Sequence, residues 1–134
     1  MGGRFVDTNV LLYLASGDAQ KADRAEAVLA QGGTISVQVL NETANVLRRK
    51  MGLSWPDTHL FLDMVRTLLT VEPVTQATHE TGLRVSERYG LSIYDAMIVA
   101  AALMAGCDML ISEDMQDGLV INECLRVSNP FSEL

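Results

Sequence analysis

The sequence predicts a three-layer α/β/α domain, in which helices cover both faces of a central parallel sheet of four or five short strands. Short apolar runs alternate with longer stretches of helical spacing, and one or two such stretches separate each run from the next. Parallel strands need helical crossovers of this kind. The 134 residues, 49% of them hydrophobic, are expected to form a single domain over 1–134.

Four strands are predicted from the apolar runs. They are FV at 5–6, TISV at 34–37, VEPV at 71–74 and MLIS at 109–112. The proline in the third run favours a place at the edge of the sheet. After the fourth strand come a polar loop, SEDMQDG, a short apolar stretch and the terminal NPF.

Six helices are predicted from apolar spacing and from capping residues at their ends. The expected ranges are 9–15, 19–31, 38–51, 55–69, 75–89 and 93–105. Thr8, Ser54 and Ser92 are the expected N-caps of three of these helices. In the third helix, the expected buried side consists of Val37, Leu40, Ala44, Leu47 and Met51.

Composition narrows the functional class. A net charge of −7 argues at first against a nucleic-acid partner, because phosphate binding usually needs a basic face. Removing four carboxylates that bind a metal would leave −3. The longest apolar run, 96–106, is too short to span a bilayer, so no membrane partner is expected. Two cysteines without a CxxC pair are typical of a reduced, cytoplasmic protein.

Two carboxylates lie in apolar segments, where an unpaired charge is costly to desolvate. Asp7 lies between Phe5-Val6 and Val10-Leu11-Leu12. Asp95 is the only charge between 92 and 106, in the first turn of a helix that is apolar all round. Such a helix is normally buried, so its carboxylate needs a partner.

Two further acids are expected near the first pair. Glu42 lies in the first turns of the helix after the second strand, and Asp114 follows the fourth strand by two residues. Taken singly, Glu42 is explained as an exposed helix residue, Asp114 as a solvated loop acid and Asp95 as a helix cap. Function in open parallel sheets lies at the carboxyl ends of the strands, so all four acids are expected to meet there.

Clustered carboxylates stay ionised together only with a cation among them. Oxygen ligands without nearby histidine or cysteine favour a hard ion, Mg²⁺ or Mn²⁺. Such an ion suits phosphodiester hydrolysis, because it lowers the pKa of a bound water and stabilises the leaving oxygen. The acids therefore predict metal-dependent phosphate chemistry.

Four segments carry a resemblance to a known family: DTNVLLY at 7–13, SVQVLNETANVLRR at 36–49, YDAMIVAAALMAGCDMLISEDMQDG at 94–118 and NPF at 129–131. In order and spacing, the sequence resembles PIN-domain ribonucleases, and within them the VapC-type toxins of toxin–antitoxin modules. The resemblance implies a PIN-like fold and a Mg²⁺- or Mn²⁺-dependent endonuclease that cuts single-stranded or looped RNA.

The resemblance also implies roles for particular residues. The catalytic and metal-binding acids would be Asp7, Glu42, Asp95 and Asp114, with Asp117 as an outer metal contributor and with Asn9 and Ser112 as supporting residues. Ser112 stands where many relatives have threonine, and a serine hydroxyl can make the same hydrogen bond. For phosphate contacts, Arg49, on the same helix face as Glu42, and Arg4, near the first strand, are the expected residues.

Family members usually form homodimers and are held inactive by a small antitoxin. The apolar helices at 8–15 and 55–69 are expected either to supply such surfaces or to be ordinary core. Two alternatives to an RNA-cleaving toxin stay open: a non-catalytic PIN-like module that binds RNA or protein, and a PIN nuclease of RNA processing. A receiver domain is rejected, because neither Lys21 nor Lys50 follows the last strand.

Overall fold

The computed structural model describes residues 2–134, in which two helices follow each of the first three of six strands. The strands are β1 Arg4–Val6, β2 Thr34–Ser36, β3 Thr70–Glu72, β4 Met109–Ile111, β5 Val120–Ile121 and β6 Leu125–Ser128. The helices are α1 Thr8–Tyr13, α2 Ala19–Ala30, α3 Val37–Arg49, α4 Trp55–Leu68, α5 Gln76–Tyr89 and α6 Ile93–Met104. Among them is no helix long and apolar enough to cross a membrane.

The strands form one sheet in the order β3-β2-β1-β4-β6-β5. Five of them, β3, β2, β1, β4 and β6, run parallel, which confirms the predicted fold class. The sixth, β5, pairs antiparallel with β6. From β1 the chain builds outward to β2 and β3 on one side, and later to β4 and β6 on the other. The strand order therefore reverses between β1 and β4, where a ligand crevice is expected at the carboxyl ends.

The register across this reversal brings distant residues together. Val6, the last residue of β1, pairs with Ile111, the last residue of β4. Asp7 donates its backbone N–H to Ile111 O at 2.9 Å. Asp7 and Ser112 consequently leave the sheet side by side.

The core lies on both faces of the sheet and is built from aliphatic side chains. Phe5, Ile35 and Leu110 are fully buried strand residues. Helix α6 is the most deeply buried helix, with every residue from Ala96 to Ala102 in the core. This burial confirms the prediction from its all-round apolar sequence.

Two predicted helix details are wrong. The N-cap of α1 is Asp7 rather than Thr8, because the Asp7 carboxylate accepts the Thr8 N–H and the helix starts one residue earlier. On α3, Leu47 is buried as predicted, but Val37 is 40% exposed, and Val39 and Thr43 are buried instead. Thr43 tolerates burial because its hydroxyl donates to Val39 O at 2.7 Å.

Candidate acidic site

Asp7 anchors the site at the end of β1. One carboxylate oxygen, Oδ1, accepts from Thr8 N at 2.7 Å, and so caps α1. The other, Oδ2, accepts from Ser112 Oγ at 2.8 Å and from Asn9 Nδ2 at 3.2 Å. The side chain is buried and has donors on both oxygens, which offset part of the cost of placing a charge between apolar segments.

Asn9 links α1 to the loop after β4. Its Nδ2 lies 3.3 Å from Ser112 Oγ and 3.1 Å from Asp114 Oδ2, in addition to its contact with Asp7. Its Oδ1 accepts the Glu113 N–H at 3.0 Å. Ser112 is fully buried and also accepts the Asp114 N–H at 3.2 Å. These bonds hold Asp114 over the end of β1.

Glu42 and Asp95 approach from two helices. Glu42, on α3, accepts from Thr8 Oγ1 at 2.9 Å. Asp95 lies in the first turn of α6, where Ser92 caps the helix by accepting the Asp95 N–H at 3.1 Å. The Asp95 carboxylate is therefore not the cap of its own helix and points to another role.

The four acids line one cavity of about 320 Å³. The complete lining consists of Asp7, Thr8, Asn9, Leu12, Glu42, Asn45, Val46, Asp95, Ile98 and Asp114. The structure thus brings together the acids predicted to meet at this end of the sheet, and Asn9 with them. No histidine or cysteine belongs to this lining.

The carboxylates of the site repel one another. Burial raises the pKa of Asp7 to about 6, with a further contribution from the negative charges of Asp114 and Asp95, against the hydrogen bonds from Ser112 and Thr8. Burial and the charge of Asp114 also raise the pKa of Asp95. The cavity is therefore short of positive charge, a deficit that a cation would relieve.

Carboxylate oxygens suit a hard cation, but the carboxylates are too far apart to coordinate one in the present conformation. Among residues 2–134, no three Asp, Glu, His or Cys side chains lie close enough together to hold an ion as they stand. Carboxylates from four separate elements border a shared space, and the donors available there are oxygen atoms.

Three other predicted residues lie away from the acidic cavity. Asp117 accepts the Asn129 N–H at 2.9 Å, which fastens the loop after β4 to the C-terminal segment. Arg4 begins β1, at the opposite end of the strand from Asp7, and donates to Gln31 Oε1 and Val28 O. Arg49 is exposed and lines a neighbouring groove. Neither Asp117 nor Arg4 therefore lines the cavity in which they were predicted to bind metal and phosphate.

Two features escaped the sequence-based prediction. Thr8 was expected to be a cap, yet its hydroxyl bonds Glu42 across the cavity, a long-range contact without a local signal. Glu113 accepts from Tyr13 Oη at 2.6 Å and from Lys21 Nζ at 2.7 Å. Although partial desolvation opposes it, these two bonds hold the pKa of Glu113 below its ordinary value. This network ties the loop that carries Asp114 to α1 and α2.

Solved structures of similar fold come from several toxin–antitoxin systems. A toxin–antitoxin complex from Klebsiella pneumoniae is similar at a TM-score of 0.71 and 23% identity, over 96% of this chain and 98% of that one. VapC20 from Mycobacterium tuberculosis, described as a sarcin-ricin loop cleaving toxin, is similar at 0.62 and 22%, over 80% and 86%. VapBC2 from Rickettsia felis, bound to a DNA fragment of its promoter, is similar at 0.67 and 18%, over 94% and 98%.

Sequence comparison gives the family directly. No curated protein matches the chain. The family model described as the PIN domain, however, matches residues 4–116, which include β1 to β4 and all four acids that line the cavity. The chain belongs to the PIN-domain family.

Proposed function

We propose that this protein is a metal-dependent endoribonuclease that hydrolyses phosphodiester bonds in RNA, and that it acts in the cytoplasm as the toxin of a type II toxin–antitoxin pair. The observation that carries the proposal is that Asp7, Glu42, Asp95 and Asp114, from four separate elements, line one cavity. Membership of the PIN-domain family supports it, as does the similar fold of the RNA-cleaving toxin VapC20.

The same four carboxylates would hold Mg²⁺ or Mn²⁺. When bound, the ion supplies an activated water and charge stabilisation at the phosphate. Asp7 is the fixed ligand, because its two oxygens are oriented by Thr8, Asn9 and Ser112. Asp114 is exposed and Asp95 half-buried, so these two carboxylates lie nearer the side from which RNA enters.

The first experiment is a cleavage assay on a panel of RNAs: transfer RNAs, ribosomal fragments and an unstructured oligomer. We expect cutting with Mg²⁺ or Mn²⁺ that is lost with EDTA and in the Asp95→Asn variant. Glu80→Gln is the matched control, since it removes an exposed carboxylate on α5, outside the cavity, and should cut as the wild type does. Cutting that survives both EDTA and Asp95→Asn would overturn the proposal.

Two other functions of the same cavity are separated by further measurements. A non-catalytic module would bind Mn²⁺ at the acids in a calorimetric titration but cut none of the RNAs. A nuclease of RNA processing would cut RNA in vitro, yet its expression without a partner would leave growth unaffected. A toxin arrests growth in that test, and Asp95→Asn removes the arrest.

An apolar groove supports an antitoxin as partner. Its lining lies on α2, α4 and the residue after α1, and consists of Leu14, Glu26, Leu29, Ala30, Phe61, Met64 and Leu68. The groove, of about 510 Å³, suits the apolar side of an amphipathic helix, and Glu26 would face a basic residue of that helix. The similar Klebsiella structure is a toxin–antitoxin complex. Leu68→Asp should abolish co-purification with the product of the adjacent gene, and Leu83→Asp, on α5, should not.

A further inference from the structure

Trp55, the only tryptophan of the chain, lies at the start of α4 and is 58% exposed. The guanidinium carbon of Arg48 lies 4.2 Å from the centre of the indole ring, in cation–π contact. Arg48 is itself fixed, because its Nη1 donates to Leu53 O at 2.6 Å. The indole is thus held in place while most of its surface remains open to solvent.

Positive charge lies close to this indole, because Arg48 contacts the ring and Arg49 lines the same groove. Arg48, Arg49 and Lys50 are consecutive at the end of α3 and make up three of the ten lysines and arginines in a chain of net charge −7. Arg49 and Lys50 are exposed, and the salt bridges found within residues 2–134 involve neither of them. Uncommitted cations beside an exposed aromatic ring are the usual elements of a single-stranded nucleic-acid site.

The basic end of α3 adjoins the acidic cavity. Asn45 lines that cavity and also a second groove of about 450 Å³, which Ala44, Arg48, Arg49 and Trp55 complete. Glu42, Asn45 and Arg49 follow one another at spacings of three and four residues, so they share a face of the helix. Seven residues of helix place Arg49 about 10 Å along the axis from Glu42. A chain leaving the cavity past Asn45 therefore reaches the indole.

We propose that Trp55 is a stacking platform for a base of single-stranded RNA, and that Arg49 and Lys50 bind the phosphates beside it. We call this surface the Trp55 platform. The inference rests on the proposed nuclease function, and it assigns to that function a path for the substrate strand outside the acidic cavity. RNA is favoured over a protein partner because the cations suit phosphates and the groove shares the lining residue Asn45 with the acidic cavity.

The test uses the intrinsic fluorescence of Trp55 in Asp95→Asn protein, which keeps the RNA intact, with Mg²⁺ present. Titration with a mixed-sequence single-stranded 12-mer RNA should quench the emission saturably, and the matching duplex should quench it less. By anisotropy of labelled RNA, Trp55→Ala should weaken binding about 10-fold, whereas Trp55→Phe should retain most of the affinity. Replacing Arg49 and Lys50 together by alanine should lower the salt slope of binding by about 1.4. Arg84→Ala, on α5, is the control cation and should change neither value.

The outcomes separate this inference from the nuclease itself. RNA cleavage that Trp55→Ala leaves unchanged, together with unquenched emission, would overturn the Trp55 platform and leave the nuclease standing. Quenching by RNA that no version of the protein cuts would support the Trp55 platform and overturn the nuclease. Emission that shifts only on adding the product of the adjacent gene would make this surface a protein interface and overturn the inference.

Discussion

Asn9 Nδ2 lies 3.1 Å from Asp114 Oδ2, a contact between residues 105 positions apart in the chain. The same nitrogen is 3.2 Å from Asp7 Oδ2. A neutral amide therefore places its partial positive charge between the carboxylate of Asp7 and that of Asp114, whose negative charge adds to burial in raising the pKa of Asp7. In the proposed nuclease, Asn9 sets the distance between two metal ligands without binding the ion in place of either.

Replacing Asn9 tests this role. We expect Asn9→Ala to lower Mn²⁺ affinity and RNA cleavage by about 10- to 100-fold, the range found for residues that orient metal ligands. Asn9→Asp keeps an acceptor for the Glu113 N–H but loses the donor and adds a charge, so before metal is added it should unfold more easily than Asn9→Ala. Calorimetric Mn²⁺ titration and urea unfolding provide the measurements. Wild-type Mn²⁺ affinity in Asn9→Ala would show that the amide has no such role.

Asp7→Asn should separate stability from activity. Raising the pKa of a buried carboxyl from 3.8 to about 6 means that ionised Asp7 costs the folded state about 3 kcal/mol at pH 7. The asparagine amide loses part of the bonding with Asn9 and Ser112, so a net gain of about 1 kcal/mol is expected without metal. Cleavage should be lost.

The raised pKa of Asp7 also predicts how stability depends on pH. Between pH 3.8 and about 6 the folded protein binds more protons at Asp7 than the unfolded chain does, so this group's contribution to stability falls as pH rises through that window. Asp7→Asn has no such titration, so its stability should not fall in this window. By urea unfolding in EDTA, the free energy of unfolding of Asp7→Asn relative to the wild type should be higher at pH 7.5 than at pH 4.5. An equal difference at both pH values would contradict the raised pKa.

Thr8 is expected to act through Glu42. Its hydroxyl donates to Glu42 Oε1 at 2.9 Å and orients that carboxylate toward the cavity. Thr8→Val keeps the shape but leaves Glu42 free to turn, so metal affinity should fall several-fold while the free energy of unfolding changes by less than about 1.5 kcal/mol. Thr8→Ser restores the hydroxyl and should restore the affinity. If Thr8→Ser binds Mn²⁺ as weakly as Thr8→Val, the hydrogen bond is not the cause.

Local signals account for the parts of the fold that sequence predicted well. Each of the first four strands overlaps a predicted run, although β3 begins at Thr70 and ends at Glu72, before the proline of its run. Ser54 and Ser92 cap α4 and α6 as expected. The hairpin of β5 and β6 was missed because β5 has only two residues and the turn lacks glycine. Asn122 and Glu123 adopt positive φ in this turn, and without a glycine the sequence does not predict that conformation.

In the candidate site too, local sequence predicted some features and tertiary packing determines the others. The four acids were predicted to meet because parallel strands and the helices after them place their residues at one sheet edge. Arg4 lies at the end of β1 away from the acids, because nearness to a strand in sequence does not say at which end of the strand a residue lies. Thr8–Glu42 joins residues 34 positions apart, so only the packing of α1 against α3 reveals it.

Self-association is expected through an exposed apolar patch beside the acidic cavity. Gln38 Nε2 donates to Tyr94 O at 3.1 Å and joins the starts of α3 and α6. Val37, Ile93 and Tyr94 are 40%, 45% and 72% exposed around this contact. A homodimer that buries them would place two acidic cavities near one interface.

Central apolar residues of interfaces carry most of the binding energy, so Ile93→Glu should weaken dimerisation by about 30-fold or more. Sedimentation velocity across a range of concentrations measures it, with Leu83→Glu on α5 as the control. Dimers that persist in Ile93→Glu, or that Leu83→Glu disrupts instead, would place the interface on another surface.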